Sequence, residues 1–151
     1  MSNVPLPTKV NGGAVRIVAL FAVILSVVAA VTSAAWVAAL LALDFGIRGL
    51  ITPRLSPLAA VARLLQPISP FAGTPIFFPP KRFAARIGLL LSAGAAVALA
   101  LGQLTVGVLL LGLLGLFAFL EGAFAFCMGC KIYGLLIRKG IIPQENCPDC
   151  V

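Results

Sequence analysis

The residues best suited to chemistry are four cysteines, which fall in two pairs towards the end of the printed sequence. The pairs are Cys127–Cys130 (Cys-Met-Gly-Cys) and Cys147–Cys150 (Cys-Pro-Asp-Cys), which gives the spacing C-x2-C-x16-C-x2-C. Two pairs at such a separation are typical of zinc sites, in which four thiolates form a tetrahedron around the metal. The spacing therefore predicts one zinc ion per chain, with the ligands Cys127, Cys130, Cys147 and Cys150.

Thiol chemistry is the alternative use of these cysteines: a pair would cycle between dithiol and disulfide, or carry sulfane sulfur between proteins. In redox proteins such a pair usually opens a helix, where the positive end of the helix dipole stabilises the thiolate. Here we expect residues 131–139 to extend the preceding helix until Gly140 and Pro143 end it. The first pair would then lack the dipole, which favours the metal site. A packing role without chemistry is the third possibility.

The composition indicates that the cysteines belong to a membrane protein. Of 151 residues, 62% are apolar and 10% are charged, whereas globular proteins have roughly 45–50% and about 25%. A bilayer must therefore be part of the solvent. The net charge of +7 comes from basic residues at the borders of apolar runs, as in proteins anchored on an anionic leaflet. A nucleic-acid-binding protein would instead collect its basic residues on one face, so we expect no nucleic-acid partner.

Four apolar runs determine the predicted fold. They cover residues 14–31, 34–51, 87–101 and 104–126, and a bilayer span needs about 20 such residues. Helices satisfy their backbone hydrogen bonds internally, and these runs lack the alternating polarity of barrel strands. We therefore predict a single-domain, all-α integral membrane protein, whose four transmembrane helices form two hairpins.

The distribution of Lys and Arg predicts the orientation. The turns at 32–33 and 102–103 carry neither residue, whereas the connector 53–86 and the tail 127–151 are basic. Under the positive-inside rule the connector and both termini lie on the cytoplasmic side of a plasma membrane. The cysteines would then be in a reducing compartment, where permanent disulfides are rare.

The connector is predicted to contain one short helix lying in the membrane interface. Ser56 suits an N-cap and Pro57 the first helical position, and the apolar residues that follow share one face until about Gln66. The prolines between residues 67 and 80 predict that no helix forms there.

Three charged residues lie within or beside the apolar runs. Asp44 and Arg48 are four residues apart, so they would share one helix face and form an ion pair. Glu121 lies at the inner end of the fourth run and is expected to approach Arg48. These charges would act either as a polar clamp between the hairpins or as a proton or ion relay. The relay leads to the hypothesis of a small transporter.

Three stretches resemble the bacterial membrane proteins called domain of unknown function 4395. They are Asp44–Arg48 (Asp-Phe-Gly-Ile-Arg), Pro79–Gly88 (Pro-Pro-Lys-Arg-Phe-Ala-Ala-Arg-Ile-Gly) and Glu121–Cys130 (Glu-Gly-Ala-Phe-Ala-Phe-Cys-Met-Gly-Cys). The resemblance covers nearly the whole chain. It implies a setting of redox or sulfur-transfer chemistry, with thioredoxin-like or rhodanese-like partners, and no established activity.

Three functions follow from the sequence. The first is a membrane scaffold whose cysteine cluster binds zinc. The second is a membrane partner in thiol–disulfide or sulfur transfer, and the third is the small transporter. The chain has no histidine and no phosphate-binding glycine loop, so the residues point to no hydrolytic enzyme.

Overall fold

The computed structural model describes residues 9–71 and 73–141, in which helices predominate, as predicted. In chain order the elements are β1 (Lys9–Asn11), α1 (Gly12–Thr32), α2 (Ala35–Gly46), a π-helical segment (Ile47–Ile51), α3 (Pro57–Leu65), a 3-10 turn (Gln66–Ile68), β2 (Pro75–Phe77), α4 (Phe78–Ala100), α5 (Leu104–Phe124) and α6 (Met128–Arg138).

Three of the described helices are long and apolar enough to cross a membrane: α1, α4 and α5. The second predicted run differs, because α2 has 12 residues and continues as a π-helical segment of five. At about 1.5 Å per residue the two together reach roughly 25 Å, which is less than the roughly 30 Å of a bilayer core. The structure therefore confirms an apolar helical protein with three candidate spans.

The start of α4 corrects the predicted connector. We expected the third span to cover residues 87–101 with at most its preceding turn, and the prolines up to residue 80 to exclude a helix, but α4 begins at Phe78. Pro79 and Pro80 fall in its first turn, where backbone N–H groups have no partner within the helix. Proline loses nothing at these positions, so the helix begins earlier than its prolines suggested.

The long helices pack in pairs. Helix α1 contacts α5, α2 and α3, and α4 contacts α2, α5 and α6. Small residues allow close approach: a Cβ atom on Gly88 of α4 would lie 2.6 Å from ring atoms of Phe45 in α2. Large apolar side chains face outwards instead, including Leu90, which is 74% exposed. Lipid-facing helices have this arrangement, with small residues between helices and large ones outside.

At one end of the bundle, arginines near the start of one helix donate hydrogen bonds to the carbonyls at the end of another. Arg16, near the start of α1, donates hydrogen bonds to the carbonyls of Gly122 (3.0 Å) and Ala123 (2.7 Å) at the end of α5. In the same way Arg82 and Arg86, near the start of α4, each donate to the carbonyl of Gly49 in the π-helical segment, at 3.0 and 3.1 Å. These contacts, the crossed arginine caps, satisfy carbonyls that a helix end leaves without partners.

The predicted short helix of the connector is present as α3. The Ser56 hydroxyl accepts a hydrogen bond from the backbone N–H of Ala59 (3.1 Å) and so caps the helix. Ala62 is fully buried and packs with α1, whereas Leu64 on the other side is 79% exposed. The helix is therefore amphipathic, but its apolar surface is divided between the bundle and the exterior.

A short antiparallel ladder of β1 and β2, which was not predicted, joins the start of α1 to the start of α4. Val10 pairs with Ile76, and the backbone N–H of Gly12 donates to the carbonyl of Thr74 (2.8 Å). The ladder lies at the end of the bundle that carries the crossed arginine caps.

Candidate functional site

The first cysteine pair opens a helix. Helix α5 ends at Phe124, Ala125 adopts a left-handed conformation (φ 54°), and α6 begins at Met128 with Cys127 as its N-cap. The expectation that the preceding helix continues through the pair was wrong. The chain changes direction at Ala125. The cysteine pair therefore lies at the positive, N-terminal end of the α6 dipole, contrary to the expectation from the sequence.

Cys127 and Cys130 are joined by a disulfide, with their Cα atoms 5.1 Å apart. The backbone N–H of Cys130 donates to Sγ of Cys127 at 3.2 Å. Cys127 is buried, with 8% of its surface exposed, and Cys130 is half-buried. When the disulfide is reduced, the helix N-terminus and this N–H group favour the thiolate form of Cys127.

Close packing fixes α6 to the start of α4. A Cβ atom on Gly129 would lie 2.6 Å from Cα of Ala84, so only glycine allows this approach. Further along, the ring centroids of Tyr133 and Phe83 are 5.7 Å apart. The helix ends as predicted at Gly140, whose φ of 72° gives the left-handed cap. The disulfide is therefore attached rigidly to the bundle.

The second pair, Cys147 and Cys150, lies outside the described residues. Among residues 9–71 and 73–141, no group of three or more His, Cys, Asp or Glu side chains is placed to bind a metal ion. The zinc site with four cysteine ligands therefore stays a prediction. A disulfide offers no thiolate to a metal, so Cys127 and Cys130 cannot bind zinc while they are joined to each other.

A cavity of about 320 Å³ lies beside the pair, inside the bundle. It runs from the β ladder between α1, α4 and α5 as far as Ala22, which is about 15 Å along α1 from Gly12 at helical rise. Its deep walls are apolar, and its rim carries Cys127 of the cysteine pair and charged residues. The main lining residues are Ala19, Ala22, Leu91 and Leu114 in the walls and Arg48, Lys81, Glu121 and Cys127 at the rim.

Asp44 is buried (2% exposed) and fully engaged with its neighbours. Its Oδ2 lies 2.6 Å from Nη2 of Arg48, in the predicted ion pair. Its Oδ1 accepts from the hydroxyl of Ser56 (2.5 Å) and from the backbone N–H of Leu58 (3.2 Å). Asp44 therefore ties the start of α3 to α2. These contacts lie within the first hairpin and the connector, so the predicted clamp between the hairpins stays a prediction.

The expected approach of Glu121 to Arg48 was wrong. Glu121 instead forms an ion pair with Lys81, near the start of α4. The sequence contains no signal for this pair, because its members are 40 residues apart and lie on different helices. Lys81, which belongs to the basic connector predicted from the sequence, lies at the rim of the cavity.

Comparison with known proteins covers both the bundle and the first pair. A family model described as "Domain of unknown function (DUF4395)" matches residues 10–138. The chain belongs to the DUF4395 family. The DUF4395 match includes Cys127, Cys130 and helix α6, and it ends before the second pair. No curated protein and no solved structure matches this chain significantly.

Proposed function

We propose that this DUF4395 protein is a membrane thiol–disulfide protein, which exchanges disulfides with a thioredoxin-like partner on its predicted cytoplasmic side. The observation that carries the proposal is the position of the Cys127–Cys130 disulfide at the N-terminus of α6. Cytoplasmic disulfides are usually transient and catalytic, and the predicted orientation puts this pair in the cytoplasm. The match that ends before the second pair also supports a function carried by the first pair alone.

The proposed topology is the predicted one, with four spans in two hairpins in a bacterial plasma membrane. Helix α2 and the π-helical segment form the second span in chain order, and the bilayer around it thins to match its shorter length. Both termini and α6 lie on the cytoplasmic side. The bilayer is then a partner in its own right, and α3 lies in its interface.

The exposure of the two cysteine residues sets the order of exchange. A partner thiolate attacks Sγ of Cys130, the more exposed residue of the pair, and forms a mixed disulfide with it. The bond between the sulfurs of Cys127 and Cys130 breaks, and Cys127 leaves as a thiolate at the helix N-terminus. A second partner thiolate then attacks the partner's sulfur in the mixed disulfide. It releases the oxidised partner and leaves a dithiol on this chain, so two electrons have moved.

The test is to identify the cysteine that forms the mixed disulfide. The oxidised chain in detergent is mixed with a reduced thioredoxin-like protein whose second cysteine is replaced by serine. The reaction is quenched with an alkylating agent, and the peptides are mapped by mass spectrometry. We expect Cys130 in the mixed disulfide and Cys127 alkylated. A mixed disulfide through Cys127 would overturn the proposed order, and its absence would overturn the function.

Zinc binding by Cys127, Cys130, Cys147 and Cys150 is the rival proposal, and the spacing of the two pairs supports it. It is tested on protein purified under reducing conditions without chelator, beside a Cys147→Ser/Cys150→Ser variant. About one zinc per chain, lost in that variant, would support the metal site. Disulfide exchange that is unchanged in the same variant would support the thiol function.

A further inference from the structure

We propose that the cavity beside Cys127 binds the ring of a lipid-soluble quinone, which oxidises the Cys127–Cys130 dithiol. This inference rests on the proposed thiol function and names the electron acceptor of the same site. A protein that oxidises partner dithiols must itself be reoxidised, and a quinone is a two-electron acceptor that dissolves in the bilayer around this bundle. Three features of the cavity support the assignment.

The first feature is the contrast between the walls and the rim. The walls between α1, α4 and α5 are formed by Ala, Val and Leu side chains, and a volume of about 320 Å³ lies within the usual range for small-molecule sites. Such walls suit an aromatic ring with an apolar tail and are unsuitable for a hydrophilic metabolite. The rim, by contrast, is charged and mostly basic, and its polar groups can orient a ligand; its charged residues are Lys9, Arg48, Arg54, Arg63, Lys81 and Glu121.

The second feature is a buried hydrogen-bond donor at that rim. Arg48 lines the cavity, and its guanidinium lies over the ring of Phe45, with 4.5 Å to the ring centroid. Its Nε has no acceptor among the described residues. A buried donor without an acceptor is costly, and the carbonyl oxygen of a bound quinone would provide one. Lys81 adds a second cation at the same rim.

The third feature is that the two sulfurs have different surroundings. Cys127 is buried and lines the cavity, whereas Cys130 is the more exposed of the two and is absent from the lining. The pair can therefore react with a soluble protein at Cys130 and with a membrane-soluble molecule at Cys127. This separation is what transfer of electrons between an aqueous and a lipid-soluble reactant requires.

The reaction balances as a two-electron transfer. The dithiol loses two electrons and two protons, and a bond forms between the sulfurs of Cys127 and Cys130. The quinone gains both electrons and both protons on its two ring oxygens and leaves as the quinol. Arg48 and Lys81 stabilise the negative charge that develops on an oxygen during the transfer, because both are cations at the rim.

The test uses the full chain in lipid nanodiscs, first reduced and then mixed with a benzoquinone that carries one isoprene unit and has no unsubstituted ring carbon, so that thiols cannot add to the ring. Loss of quinone absorbance and formation of the Cys127–Cys130 disulfide are measured together. The variant Ala118→Leu fills the cavity from α5, and Ala100→Leu is the matched control at the exposed far end of α4. We expect Ala118→Leu to need about tenfold more quinone for the same rate, and Ala100→Leu to match the unmodified chain.

Exchange with the thioredoxin-like partner is measured on the same samples to separate the two proposals. If the partner is oxidised but quinone never reacts with the dithiol, the quinone site is wrong and the thiol function stands. If neither reaction occurs, the thiol function fails as well. If quinone oxidises Ala118→Leu as readily as the unmodified chain, the reaction occurs outside the cavity and the inference is wrong.

Photolabelling provides a measurement on the unmodified chain, in case Ala118→Leu does not fold. An azido derivative of the same quinone is irradiated with the protein, and the labelled peptides are mapped. We expect label on the walls of the cavity in α1 and α5, displaced by excess unlabelled quinone. Label that excess quinone does not displace would indicate nonspecific labelling and would overturn the proposal. Absence of label from the cavity walls, as expected if a phospholipid chain fills the cavity, would overturn it too.

Discussion

Asp44→Asn should destabilise the bundle by about 3 kcal/mol. The substitution keeps an oxygen that can accept from Ser56 but removes the charge that faces Arg48, 2.6 Å away. Removing one partner of a buried ion pair typically costs about 3–5 kcal/mol. The side chain of Arg48 is 15% exposed, so it can partly rehydrate, and we expect the lower end of that range.

The double variant Asp44→Asn/Arg48→Met provides the control. Replacing both members of a buried pair is often neutral, because the desolvation cost of the charges disappears together with their attraction. We therefore expect the double variant to recover most of the loss and to lie within about 1 kcal/mol of the unmodified chain. The difference between the variants isolates the coupling between the two side chains.

The assay is unfolding in mixed micelles, followed by circular dichroism as the fraction of a denaturing detergent rises. A loss below about 0.5 kcal/mol in Asp44→Asn would refute the structural role of Asp44, because a carboxylate with these contacts cannot be replaced by an amide without cost. A double variant less stable than Asp44→Asn would also refute it. A proton relay predicts the opposite pattern, in which stability is kept and a transport activity is lost.

Three further predictions concern the ends and contacts of α5 and α6. Gly129→Ala should push α6 away from α4, lowering stability by about 1–2 kcal/mol and slowing disulfide exchange. In the control Gly112→Ala, the added Cβ atom meets no atom within 4 Å, so stability should rise by up to about 1 kcal/mol. Equal effects of the two substitutions in a melting experiment would contradict this prediction. Arg16→Met should lose about 1.5–3 kcal/mol by leaving two carbonyls of α5 without their donor, and unchanged unfolding would count against the cap. Ala125→Gly should stabilise the chain by about 1 kcal/mol, because glycine adopts a φ of 54° without strain; a destabilised variant would show that the alanine side chain contributes packing.

The apolar runs predicted most of the bundle, because length and composition decide whether a helix suits a bilayer. The short helix α3 was also predictable, since Ser56 and Pro57 are strong local signals for a helix start. The early start of α4 was missed because prolines are usually read as helix breakers. In the first turn they break nothing.

The orientation of the cysteine pair was not predictable from local sequence. The break between α5 and α6 contains neither glycine nor proline, and the left-handed residue is Ala125. Cysteine is also not among the preferred N-cap residues, so Cys127 gave no sign of opening a helix. The cavity and the ion pair between Lys81 and Glu121 arise from tertiary packing, which no local pattern encodes.

The crossed arginine caps also constrain how the chain is made. Gly49 is 33 residues before Arg82, and Arg16 is 107 residues before Ala123. At about 5–20 residues per second, synthesis separates these partners by roughly 2–7 s and 5–20 s. During that interval the nascent first half has uncapped carbonyls and an arginine without its acceptors. Each half therefore depends on the other for the arginines that cap its helix ends. Halves expressed as separate chains should co-purify. Recovery of either half alone in a folded state would contradict this mutual dependence.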